Sequence, residues 1–164
     1  MIQSLDAFTH YFGSIRRRTI TYIQTIPADH IDWAPKAGEF TFADLVRHIA
    51  AGERMFVGSV VAGRWYYIGH DQPKLDSVPA LLAYLESHHE AAMRDLSSID
   101  DAVLTQDRPA LKGTMIKGWR LLMAMIEHEV HHRSQLAMYL TLIGVTPPQI
   151  YGLTVEEVIA LATG

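Results

Sequence analysis

Between Leu5 and Ile26, side chains suited to burial fall at Leu5, Phe8, Phe12, Ile15, Thr19, Tyr22 and Ile26. Steps of three and four trace one face of a helix. "IPADHIDWAPKAGEF" follows with two prolines and a glycine and reads as a loop. Thr41 and Asp44 then form a capping-box-like start. The second helix is predicted to run to about Val61, with Leu45, Ile49, Gly52 or Glu53, and Phe56 along one side. "AGRWYYIGHDQPKLDSVP" is too long for a tight helical hairpin and suits a crossover. Ser77 and Pro79 open a third helix, whose face is Leu81/Leu82, Leu85, His88/His89, Ala92 and Leu96.

The longest helical pattern spans roughly Ile116 to Ile143, stopped by Gly144 with Pro147 and Pro148 beyond. The loop before it leaves room for a small strand pair within Ala110–Lys117. Thr154 and Glu157 form another capping box, which begins a short terminal helix. No internal repeat and no convincing alternating strand occurs. The simplest architecture that buries every stripe is all-α: a four-helix bundle with a short extra C-terminal helix, forming a single domain over residues 1–164.

Composition narrows the class. Apolar residues at 49% and charged residues at 20% suit a packed domain rather than a disordered chain. A net charge of −4 argues against nucleic acid as a partner. The one basic run, Arg16-Arg17-Arg18, reads as a solvated helix face. With no cysteine, thiolate ligands and cysteine nucleophiles are excluded, and a reducing cytoplasm fits. The opening residues lack a basic-then-apolar leader pattern, and charges interrupt every apolar run. A cytoplasmic protein without membrane association is therefore expected.

Histidine is the unusual component, with nine residues. "MIEHEVHHRSQL" places His128 and His132 four apart, about 40° from each other around a helix. Both imidazoles can then face one ion, alongside Leu121, Met125, Gln135, Leu136 and Tyr139. Much of that face is apolar, and inward-pointing imidazoles need partners. A metal ion is one such partner. Catalytic sites of this kind usually take three protein ligands, and the best third candidate is His48, between Leu45 and Ile49. His88 and His89 read as a boundary pair, and His10, His30 and His70 as structural or solvent-facing.

"HEVHH" also satisfies the zinc-protease pattern H-E-x-x-H, with Glu129 as a possible base. The protease reading is disfavoured. Gln135 and Met138 stand where a metzincin needs glycine and histidine, and Glu156 and Glu157 serve better as helix-start acids. No edge strand is expected to align a peptide. Glu129 lies about 100° from His128, a position for a second-shell or surface residue. Gln135 and Tyr139 are pocket or packing candidates. Glu53 and Arg133 are further candidates to support the metal ligands, with a plain surface salt bridge the favoured reading, and Trp33, Trp65 and Trp119 read as packing residues or loop anchors.

The stretch "HEVHHRSQLAMYLTLIGVTPPQIYG", with "TFADLVRHIAAGE" and "IDWAPKAGEFT" upstream, resembles the DinB family, also called DinB/YfiT-like metalloenzymes. Ser134 departs from the glycine usual in that family. The resemblance implies a four-helix bundle with a long crossover, often dimeric, and a divalent metal held by three histidines. Carried over by position, these are His48, His128 and His132, with His131 a non-ligand neighbour.

The resemblance further implies a divalent-metal-dependent hydrolase, or a thiol-dependent S-transferase using a low-molecular-weight thiol, acting on a small molecule. Zn²⁺ or Ni²⁺ suits imidazoles best, with Fe²⁺, Co²⁺ or Mn²⁺ as further options. The alternative is a non-catalytic, metal-stabilised binding or stress-response protein. Three ligands without a fourth protein donor favour an open, reactive site over a structural one.

Overall fold

A computed structural model describes residues 2–70 and 73–163; the stretch of the expected crossover at Asp71 and Gln72 lies outside the described residues. Four long helices form the body: α1 (Leu5–Gln24), α2 (Phe42–Ala62), α3 (Val78–Ser97) and α4 (Gly118–Leu142). A short α5 (Val155–Thr163) follows. The starts obey the local chemistry. Thr41 and Asp44 make a reciprocal capping box, Ser77 caps α3 with Pro79 in its first turn, and Thr154 with Glu157 makes the box that opens α5. Gly144, at φ 80°, takes the left-handed conformation that ends α4.

Contact order fixes the helix directions. From α2 to α4 the pairs run Phe42–Tyr139, His48–His132 and Gly52–His128, so these helices are antiparallel. From α2 to α3 they run Arg47–Tyr84, Glu53–His89 and Arg54–Asp95, so these are parallel. A segment returning from the end of α2 to the start of α3 must travel the length of the bundle, which is the crossover the loop length suggested. Helix α1 lies between α3 and α4. Its Phe8 end borders Met123, Thr19 meets Glu129 midway, and its Tyr22 end shares a cluster with Tyr139. Helices α1 and α4 are therefore parallel.

The strand pair exists, but begins earlier than expected. Strand β1 (Asp107–Pro109) pairs antiparallel with β2 (Met115–Lys117), with Arg108 opposite Ile116. Helix α4 consequently starts at Gly118 rather than Ile116, because the preceding residues are held in the ladder. Gly118 presses against the backbone of Val103, where a Cβ would lie 2.3 Å from a carbonyl oxygen.

All seven positions of the α1 stripe are buried. The interior is nevertheless not one continuous apolar volume. One cluster gathers Tyr22, Ile23, Leu45, Ile49, Leu81, Leu136 and Tyr139; the other gathers Phe8, Phe12, Val57, Leu96, Leu121, Leu122 and Met125. Between them lies a polar layer drawn from all four helices. Arg16 Nη2 donates to Glu53 Oε2 at 2.6 Å and to Glu129 Oε2 at 2.8 Å. Thr19 Oγ1 donates to Glu129 Oε1 at 2.7 Å, and His89 Nδ1 lies 2.7 Å from Glu53 Oε1.

This layer corrects three sequence expectations. Arg16 is 3% exposed rather than on a solvated face, and Glu53 and Arg133 are buried rather than in surface salt bridges. Of three successive arginines, Arg16 alone falls on the inward stripe next to Ile15 and Thr19. Two carboxylates from other helices meet it there, which is how a buried guanidinium is accommodated.

Candidate metal centre

Helices α2 and α4, antiparallel neighbours, carry the three predicted histidines. Side chains four apart on α4 project together, so His128 and His132 stand with ring centroids 4.4 Å apart. The His48 ring comes from α2 and lies 4.8 Å from the first and 4.5 Å from the second. One nitrogen from each of the three falls within 4.8 Å of the other two. The Nε2 atoms of His48 and His128 are 3.0 Å apart.

Two neighbouring features shape the cluster. Gly52 lies one turn beyond His48 on α2, buried against the His128 ring. A Cβ there would sit 2.5 Å from His128 Cε1, so the bare backbone is what makes room for the imidazole. Gln135, one turn beyond His132, brings Oε1 to 2.6 Å from its Nδ1. Nδ1–H donating to that amide oxygen leaves Nε2 as the lone-pair nitrogen, the arrangement metal-ligating histidines generally show.

Burial suppresses protonation of all three rings. His48 is pushed down to about 4, first by desolvation and then by the His132 and His70 imidazoles. His128 is pushed down to about 3, again chiefly by desolvation, with His132, His48 and His131 adding to it. His132 is lowered by burial, against an opposing contribution from its Gln135 bond. At neutral pH the cluster offers uncharged imidazoles, the form that binds metal. Three neutral nitrogen donors and a glycine cradle therefore fit a divalent cation.

The remaining sequence candidates separate. Gln135 supports the site. The Glu129 carboxylate points to Arg16 and Thr19, and desolvation raises its pKa against the pull of Arg16. Tyr139 is a packing residue, edge-on to both Trp33 and Phe42 at 5.5 Å. His131 is exposed, beside His132 but outside the cluster.

His70, read from the sequence as structural or solvent-facing, is half-buried, with its ring 5.1 Å from His48 and 5.8 Å from Phe40. No periodicity in a loop could have placed it. The only hint in the sequence is the density of aromatic residues in "RWYYIGH".

The profile of the DinB family matches residues 1–160. The chain belongs to the DinB family. It is 25% identical over 153 residues to the uncharacterized protein YjoA of Bacillus subtilis strain 168, covering 92% of this chain and 97% of that one. A DinB-like protein from Bacillus cereus ATCC 10987 superposes with a TM-score of 0.77 at 19% identity, over 91% of this chain and 99% of the other. The crystal structure of the Bacillus subtilis DinB-like protein YjoA gives 0.72 at 23% identity, over 87% and 96%. At these identities the structural likenesses establish the all-α fold. Among the described residues, no helix is long and apolar enough to cross a membrane.

Proposed function

We propose that this DinB-family protein is a divalent-metal-dependent enzyme in which His48, His128 and His132 hold the ion and a small molecule is the substrate. The observation that carries this reading is the convergence of three uncharged imidazoles from two helices, braced by Gln135 and cradled at Gly52. A divalent ion bound by neutral ligands keeps its full charge and lowers the pKa of a coordinated water or thiol.

The surroundings favour S-transfer from a low-molecular-weight thiol over hydrolysis. Among the described residues, the two buried carboxylates, Glu53 and Glu129, are both committed to Arg16 rather than placed to activate a water. A thiol, the more acidic nucleophile, has less need of a general base. Zn²⁺ and Ni²⁺ are the ions that best suit the donors, and the cytoplasm is the compartment that suits a thiol cosubstrate. A homodimer is part of the same proposal. It is supported by the exposed apolar residues Val155, Val158, Ile159 and Leu161 of α5, which find no cover within one chain.

The test begins with metal analysis of the purified protein and of His48→Ala. Retention of a full equivalent of metal by the variant sinks the three-histidine site. The Co²⁺-loaded protein is then titrated with cysteine and assayed against small electrophiles. A thiolate charge-transfer band and thiol-dependent turnover support S-transfer, whereas turnover of esters or amides without thiol supports hydrolysis. Light scattering reads the oligomeric state.

A further inference from the structure

A cavity of about 620 Å³ lies between the first turns of α1, the second half of α3 and the residues that follow α3. Its size suits a small organic molecule. None of its lining residues belongs to the three-histidine cluster, so it is a separate place in the molecule. Leu5, Met93, Leu96 and Ile99 give it a hydrocarbon wall. Its link to the buried polar layer is His89, half-buried in the wall, whose Nδ1 lies 2.7 Å from Oε1 of the buried Glu53.

We propose that this cavity binds an organic ammonium ion, with the hydrocarbon body against the apolar wall and the N–H groups on the acceptors around it. The direction of the protons in the lining carries this reading. Thr9 Oγ1 donates to the Asp6 carbonyl at 3.0 Å, and Ser97 Oγ donates to the Arg94 carbonyl at 2.8 Å. Both hydroxyls have therefore spent their hydrogens on their own helices and keep lone pairs.

His89 follows the same pattern. A carboxylate only accepts, so the shared proton sits on Nδ1, and in a neutral ring Nε2 keeps its lone pair on the edge turned away from Glu53. Asp6 and Asp101 add carboxylates, and of these Asp101 uses one oxygen on the Leu5 N–H at 2.7 Å. His10 is the one lining side chain free to turn a donor inward. Among the described residues, no lysine or arginine lines the cavity.

An anion placed there would meet two carboxylates and no counter-charge, and a neutral ligand would gain little from them. An ammonium group supplies both the charge and the N–H donors that the lining lacks. The positive end of α1 accounts for acids near its first turn. It does not account for His89, which comes from the facing helix and is fixed in its tautomer by a buried partner.

The test titrates the full chain with phenethylammonium, 2-phenylethanol and 3-phenylpropanoate, a cation, a neutral molecule and an anion of similar bulk, followed by amide NMR shifts. The ammonium should give saturable shifts at Thr9, His89 and Met93, and a dissociation constant about tenfold below that of the alcohol. The carboxylate should not saturate. The constant should be the same with and without added Zn²⁺, as expected of a place apart from the imidazole cluster.

Asp6→Asn, a change at an exposed position, should weaken the ammonium about threefold and leave the alcohol unchanged. Met93→Trp, which fills the hollow, should abolish saturable binding of both. His89→Leu should weaken the ammonium selectively; circular dichroism checks its fold, and the other two variants decide the matter if it is unfolded. Equal affinity for ammonium and alcohol overturns the proposal by making the cavity merely apolar. Shifts that fall elsewhere, or an ammonium affinity indifferent to both Asp6→Asn and Met93→Trp, overturn it by placing the ligand outside this cavity.

Discussion

Gly52 and His128 form a matched pair across the α2–α4 interface: the missing side chain of one is the space occupied by the ring of the other. A glycine in mid-helix costs about 1 kcal/mol relative to alanine, and here that cost makes room for a ligand. Gly52→Ala should therefore behave unlike an ordinary helix-stabilising change. We expect it to displace the His128 ring, to weaken Zn²⁺ binding at least tenfold in chelator competition, and to lower stability by about 1–3 kcal/mol through overpacking. Unchanged zinc affinity would show that His128 does not need its present position.

Gln135 acts through His132. Replacing it by Leu removes the acceptor that fixes Nδ1–H and frees the ring to rotate or change tautomer. The expected result is a loss of metal affinity of about 10–100-fold with thermal stability of the metal-free protein nearly unchanged. Isothermal titration with Zn²⁺ measures the first, and a thermal melt the second.

Arg16 holds two buried carboxylates from different helices. Arg16→Met leaves Glu53 and Glu129 facing each other without the cation, and should destabilise the protein by about 3–5 kcal/mol in urea unfolding. Adding Glu53→Gln and Glu129→Gln should restore much of that loss. If the single change is neutral, the layer contributes nothing to stability.

The imidazole cluster also sets a pH dependence. In the unfolded chain His48 and His128 titrate near 6.5, whereas in the folded protein they do so at about 4 and about 3. Below pH 6.5 the unfolded chain therefore takes up protons that the folded centre refuses. Stability is highest above 6.5 and falls with acidification through the window down to the folded values. The midpoint of metal-free thermal unfolding should drop by several degrees between pH 7.5 and 4.5, and less steeply in a His48→Leu variant. Parallel slopes for the two proteins would contradict this.

The long-range architecture was legible because the helices carry their own punctuation. Thr41, Ser77, Thr154 and Gly144 mark ends that the structure reproduces, and the α1 stripe is buried at every position named from its spacing. The three histidines were legible for a different reason. An i, i+4 pair on an inward face calls for a third ligand, and His48, beside the buried stripe of its helix, was the best candidate, which the family resemblance also implied. Arg16, Glu53 and Arg133 were placed at the surface because charge is ordinarily a signal of solvent; only the meeting of distant helices shows Arg16 neutralised by Glu53 and Glu129, and Arg133 turned to the Ile15 carbonyl. His70 was left between a structural and a solvent-facing reading because irregular backbone has no period to say which way a side chain turns.

Two greasy half-cores on their own would tolerate a helix slipping lengthwise by a turn, since one leucine fits much like the next. A single guanidinium clasped from both sides does not tolerate it: any such slip strands a charge in hydrocarbon. Arg16 thus works as an indexing pin that joins α1 to the very two helices bearing the imidazoles. The alignment that sets His48 opposite His128 is thereby protected from within, by residues that take no part in the imidazole cluster.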